Sequence, residues 1–562
     1  MTGRHGPTVP PVVEYWQNKG TKPRRRSRTI RRVMTWTLAV LTAVLLTIGM
    51  IVVRWFWRAP SIGRNFTAEH NAAVLAAKPE LLAWPEIRRA KLDLPDTSER
   101  LWTLDYLDKT GWTEIRPGNS DWAEVRAYVQ SCAPQLGIVR NAATRPMLGY
   151  LLTDREDAEM IGDSYRRSKQ LPSQPFLQGT SNPELREVWL HYMGTYRSMA
   201  RLLRADARVA IEERDPERVI QDIEGILGLS RQSSQTGGML GYLLKLAVEN
   251  FALCLTLESL EAMPDAFADE PLRGLDSLLS GSATSVDFDF ALKFERDRFL
   301  DALQRSFSDD GSGSGEMTLT GVKFWDAVGS PANGTSPDLG DRLFTIIYWM
   351  STTSSRAEQI AQYDAIVSSQ MSDASIPIWE YDGPSPLTER LRQDRGRRTW
   401  GVGLAPALVF VPSLDSAIIS SARAHYLNTA VRATIAIHRY RGEEGRWPES
   451  LATLVPKYIA NLPLDRFTGK PLLYRTGADG PVLYSTGINR IDDGGIGAPP
   501  EINDPGAFLT PSKLKESLMF KRQQKPGWDE ILFPPSRAKL PAKVESENAD
   551  QGNGGTAEST GE

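Results

Sequence analysis

The chain is poor in the residues that build covalent or metal frameworks. It has two cysteines and five histidines in 562 residues. Two cysteines exclude a disulfide scaffold and any Cys₄ or Cys₃His zinc site. The histidines are His5, His70, His191, His425 and His438, and no two have His-x-x-x-His spacing, which removes most mononuclear zinc-hydrolase readings. His425 and His438 are 13 residues apart, about 20 Å along a helix, and read as surface or packing residues. No Gly-x-x-x-x-Gly-Lys-Ser/Thr phosphate loop and no dinucleotide fingerprint is present. The one Gly-x-Ser-x-Gly run, residues 311–315, lies in a Gly/Ser stretch and not on a strand-to-helix turn. Charge of one sign is not in excess either: 66 Lys+Arg stand against 69 Asp+Glu, so no global signature of nucleic-acid binding exists.

What is present is enough to fold. Apolar residues make up 41% and charged residues 24%, which excludes a disordered chain and a polytopic membrane protein. The length allows about three or four domains. The even charge balance hides an asymmetry at the N-terminus. Residues 19–32 hold eight basic side chains and no acid. Residues 33–53 (VMTWTLAVLTAVLLTIGMIVV) then carry no charge. At 1.5 Å per residue such a helix spans about 30 Å, the hydrocarbon thickness of a bilayer. Arg54-Trp-Phe-Trp-Arg58 follows, and tryptophans favour the membrane interface.

A cleaved signal peptide would have a shorter apolar region and a small-x-small site, neither of which is seen. Arg31-Arg32 resembles a twin-arginine signal only weakly, inside so basic a run. The reading is a single-pass anchor in the inner (cytoplasmic) membrane, touching lipid through 33–53, with the basic tail 1–32 cytoplasmic and the bulk periplasmic. No other stretch is expected to span. Cys132 and Cys254, 122 residues apart in apolar helical patterns, are expected as buried free thiols rather than a pair.

Beyond a stalk at 54–75, residues 76–307 read as a helical domain with helices near 184–212, 215–233, 238–262 and 287–307. In 200–214, Leu202, Leu203, Ala207, Val209 and Ala210 fall on one side, with Arg and Glu on the other. Asp215-Pro216-Glu217 supplies an N-cap and an N1 proline. Such hairpins resemble an α-solenoid, without a clean 34-residue repeat. A Gly/Ser-rich loop occupies 308–340. There Asp310, Ser312 and Ser314 fall at the first, third and fifth positions of an EF-hand-like loop, but Gly321 stands where the bidentate Glu belongs. A flexible loop is the preferred reading, with calcium as the alternative. Residues 341–412 read as one more amphipathic helix, to about Asp382, and a basic, turn-rich linker; 534–562 reads as a disordered tail.

Residues 413–533 form the most legible segment. Ile419, Ala422, Tyr426, Ala430, Ala433, Ile437 and Tyr440 make one stripe of a long helix, closed by Gly442 and Gly445. Trp447-Pro448-Glu449 is expected to start a short helix. Residues 471–475 and 481–485 are expected as a hairpin around the five-residue loop Thr-Gly-Ala-Asp-Gly, feeding the acidic loop STGINRIDDGGIG.

This succession resembles the globular part of the major (G-type) pseudopilin of bacterial type II secretion. The resemblance rests on Tyr440, Arg441, Gly445, Trp447 and Pro448, then Leu462 to Leu472, then Leu483 to Gly487 and the Asp-Asp-Gly-Gly loop. It covers about 85 residues, 413–497. It implies a long helix on a small antiparallel sheet, a mainly α chain ending in an α+β module, and a calcium ion in the last loop. Asp492 and Asp493 match that loop by position, with Ser485 and Asn489 as further oxygens. About 360 residues separate this module from the membrane segment, and no prepilin cleavage motif precedes Val33, so the chain departs from an ordinary pseudopilin.

Two functions are therefore expected in order. The first is a non-enzymatic envelope scaffold or interaction protein, with envelope or secretion-type proteins as partners, no nucleic acid, and calcium as the one candidate cofactor. The second is an extracytoplasmic, glycan-directed hydrolase using carboxylates of the helical region.

Overall fold

The structure, a computed structural model, describes residues 24–98, 101, 115–154, 182–283, 288–323, 349, 353–374, 376–380, 405–410, 414–477, 480–487, 490–497 and 529–535. The expectations for the tail before residue 24, the second half of the Gly/Ser loop, most of 341–412 and the chain after 535 lie outside those residues. The fold is mainly helical, with one small antiparallel sheet and an apolar helix near the N-terminus. The chain divides into two units: residues 1–62 with 305–356, and residues 63–304 with 357–562.

The first unit contains helix α1 (Arg24–Phe56). Its apolar side chains from Val33 to Met50, and Val53, are exposed on every side. The hydroxyls of Thr37, Thr42 and Thr47 donate to the carbonyls of Val33, Leu38 and Ala43, four residues back, at 2.5–2.8 Å. Each of these three hydroxyls is thus satisfied within its own helix. Beyond α1, Ser61 N donates to Phe307 O at 3.1 Å and Arg58 pairs with Glu316. The start of the Gly/Ser loop is accordingly a tied structure. Thr318 N returns to Ser306 O at 2.9 Å, and Arg356 N donates to Gly315 O at 2.8 Å. That bond falls at the start of the helix Arg356–Ala374; Thr353–Ser355 before it are not helical.

The second unit holds the rest. Short helices α2 (Phe66–Ala76), α3 (Trp84–Leu92), α4 (Trp122–Ser131) and α5 (Ala133–Ala143) lead into α6 (Tyr192–Glu213), α7 (Pro216–Ser233) and α8 (Gly238–Ala262). The three long helices run antiparallel in succession. Arg214 at φ 57° ends α6, and the Asp215 side chain accepts from Arg218 N at 3.1 Å to open α7, with Pro216 in its first turn. Side-by-side packing needs small residues: a Cβ at Gly228 of α7 would lie 2.3 Å from Ala143 O. Buried Gln232 donates to Ala142 O at 3.0 Å and Arg145 O at 2.8 Å, tying α7 to the end of α5 and the turn after it.

Helices α9 (Asp269–Ala283), α10 (Phe288–Ser306), α11 (Arg356–Ala374), α12 (Ala405–Phe410) and α13 (Leu414–Glu444) complete the helical part. Strands β1 (Leu473–Gly477), β2 (Gly480–Ser485) and β3 (Glu530–Phe533) form the sheet in that order, all antiparallel. Gly477 pairs with Gly480, so the strands run closer together than a five-residue loop allows. The short helix expected at Trp447 is absent. Trp447 packs edge-on against His438 and lies under Arg441, the Pro448 carbonyl accepts from Tyr474 Oη at 3.0 Å, and only a 3₁₀ turn follows at Leu451–Leu454.

One hydrophobic core runs through this unit, joining Leu203, Ile226 and Val248 of the helical region to Ala433, Ile437, Leu483 and Phe533. Residues on both sides of the 412/413 boundary read from the sequence belong to it. α13 lies against α8 and α9 on one side and the sheet on the other, so its alanines serve both. Cys132 is buried, Cys254 half-buried, and both are free thiols.

Candidate functional site

Of the residues expected to hold calcium, Ser485 sits at the end of β2, where its Oγ donates to Asp465 Oδ1 at 3.0 Å. Asp465 is 1% exposed and gathers the turn: Phe467 N, Thr486 N and Thr486 Oγ1 also donate to its carboxylate at 2.8, 3.1 and 2.9 Å. Gly469, at φ +68°, closes the same turn and abuts the Trp379 indole. The Leu-Asp-x-Phe-x-Gly pattern thus encodes a buried carboxylate that ties a turn to a strand end.

Asp492 accepts from Tyr484 Oη at 3.2 Å and from Gly494 N at 2.9 Å. The backbone of the loop turns instead on Asp529, a residue the sequence reading missed. It is 2% exposed and accepts from Asp493 N at 3.2 Å and Gly495 N at 2.7 Å. Burial raises its carboxyl pKa, with Asp493 and Asp492 adding to the rise against those two backbone bonds. Gly494 and Gly495 both have positive φ, which lets the loop close on Asp529. The structure thus places Asp492 and Asp493 in one loop and directs Ser485 to Asp465; Asn489 lies outside the described residues. In the other loop, Asp310 Oδ1 accepts from Ser312 N, Ser312 Oγ and Ser314 N at 2.9, 2.7 and 3.1 Å. The Ser312 hydroxyl, with these backbone bonds, lowers the Asp310 pKa. Among the described residues, no three His, Cys, Asp or Glu side chains are placed to share a metal ion.

Acids of the helical region gather in closed networks. Asp206 and Asp222, at 1% and 0% exposure, share Arg140, and Arg218 also pairs with Asp206. Burial, then the neighbouring Asp206, drives the Asp222 pKa well above the carboxylate range. Two adjacent carboxyls are the raw material of acid–base catalysis, but this pair lies in the α5–α6–α7 core and out of solvent. His70 Nε2 lies 3.1 Å from Asp297 Oδ2, beside the Phe294 ring, and links α2 to α10.

The third network sits on α6. Its basic face, opposite the apolar side, is partly buried: Arg204 is 7% and Arg208 3% exposed. Both contact Glu258 of α8, as does Arg116. Burial alone would raise the Glu258 pKa, but Arg208, Arg204 and Arg116 together hold it at about 2. The signal that could have found this face is its spacing, since Arg197, Arg201, Arg204 and Arg208 follow at 4, 3 and 4 residues.

No protein-family model matches this chain, and neither a curated protein nor a solved structure matches it.

Proposed function

We propose that the chain is a membrane-anchored scaffold or interaction protein of the bacterial envelope, with its N-terminal tail cytoplasmic and the unit from residue 63 onward outside. The observation that carries this reading is α1. Arg32–Met50 has a mean hydropathy of 2.0 and none of it is buried, so it requires an apolar surrounding. The basic run before it and the tryptophans after it support the orientation. Commitment of the core carboxylates to ion pairs supports a binding role over a hydrolytic one. The long α13 against a three-stranded sheet supports a pseudopilin-like module that serves assembly.

Carbonate extraction of membranes and protease treatment of spheroplasts test the reading. Retention in the carbonate pellet, with a large protease-accessible part outside, is the expected result. Release into the carbonate supernatant, or protection of the bulk of the chain, would refute it.

A further inference from the structure

Four guanidiniums of α6 form a ladder that acids among the described residues balance only at one end. Arg197, Arg201, Arg204 and Arg208 share one helical face, one per turn over about 16 Å. That face is turned to α8: Arg204 lies 5.4 Å from the centre of the Phe251 ring, and Arg208 Nε donates to Glu258 at 3.2 Å. Glu258 serves Arg116, Arg204 and Arg208 at once. The other half of the ladder has no acid among the described residues. Arg201 Nε is buried there without a hydrogen-bond partner. Burial lowers the Arg197 pKa, and the neighbouring charge acting on it is Arg201, of like sign. Beside the ladder, Ala247, Phe251 and Cys254 line up along α8 as a half-buried strip, and Arg423 of α13 interacts with Cys254.

Like charges one turn apart repel, and a buried guanidinium donor without an acceptor costs stability. An anion bound along the ladder would relieve both. The geometry also selects among anions. A free phosphate gains nothing from an apolar strip. An amphipathic helix with carboxylates on successive turns matches Arg197 and Arg201, the two rungs that Glu258 does not serve, and its apolar side matches the half-buried Ala247 and Phe251. We propose that this face of α6 and α8 docks an acidic amphipathic helix of a partner protein. The inference rests on the scaffold reading for its setting alone. Membrane topology is measured separately, so either can fail while the other stands.

The test uses the full chain in detergent micelles and a fluorescent synthetic helix of about 18 residues, with Glu once per turn on one side and Leu beside it. Saturable binding with a Kd of roughly 10 µM is expected, weakening as salt rises. Arg197→Glu with Arg201→Glu should weaken it about tenfold, and Arg197→Gln with Arg201→Gln about threefold, with circular dichroism unchanged. A shuffled peptide of the same composition should not bind. No binding at ~100 µM would overturn the proposal. So would equal binding of the shuffled peptide or no loss in the variants. Displacement of the peptide by inorganic polyphosphate or phosphatidylglycerol vesicles at lower concentration would overturn it too, in favour of a different anion.

Discussion

Among the described residues, two helices are long and apolar enough to cross a bilayer, and they meet opposite surroundings. Arg32–Met50 within α1 has a mean hydropathy of 2.0 and is 0% buried, whereas α8 has 1.5 and is 67% buried. Their polar residues account for the difference. α1 carries threonines whose hydroxyls bond to their own helix, so it needs nothing from a neighbour. α8 carries Lys245, Glu249 and Glu258. Asn428 of α13 donates to Glu249 at 3.5 Å, and Arg208 of α6 to Glu258. Gly241, near the start of α8, lies so close to the preceding turn that a Cβ would meet Thr236 O at 2.0 Å. An apolar helix with charges that need partners belongs to a protein core. One whose polar groups close on themselves can be left to lipid.

The comparison can be broken by placing one charge in each helix. Leu253→Arg puts a cation at a 0% exposed position of α8 and should destabilise the folded unit by more than about 4 kcal/mol, seen as loss of a cooperative melt. Val44→Arg in α1 should leave that melt unchanged and instead weaken membrane retention, by about 2.5–3.5 kcal/mol of insertion free energy. An intact melt in the first variant would show that α8 is not a core helix.

The cover over α8 can be sharpened through pH. His438 of α13 is buried between Trp447 and Phe533, with its Nδ1 3.3 Å from Pro264 O, two residues beyond the end of α8. Burial lowers its pKa from 6.5 to about 4, so the folded chain holds it neutral. The stability this gives is complete above the unfolded value near 6.5 and is lost progressively as pH falls toward 4. The loss should approach ~3 kcal/mol and be largely removed by His438→Gln, as read from denaturant midpoints at pH 7 and 4.5. A smaller effect is expected where the sheet meets the 463–469 turn. Asp465→Ala leaves four donors without their acceptor and should cost about 2 kcal/mol, against less for Asp465→Asn.

Local chemistry was legible where it acts within a few residues. The Asp215–Pro216 helix start, the bounds of α8 and the stripe from Ile419 to Tyr440 could all be read directly. What could not be read depends on partners distant in sequence. The expected calcium loop turns on Asp529, some 36 residues after Asp493. The Arg-bearing side of α6 is occupied by Glu258, 50 residues from Arg208. The packing of α13 on helices more than 130 residues earlier, as in its Arg432–Asp276 contact, was equally out of reach of the sequence.

The account stands on α1 being the lipid-facing helix and α8 being covered by protein. Photolabelling of the full chain in lipid nanodiscs, with a diazirine on the acyl chain, tests this directly. The account predicts label confined to peptides from about residues 32–57, with α8 unlabelled. Comparable label on peptides spanning Gly238–Ala262 would contradict it.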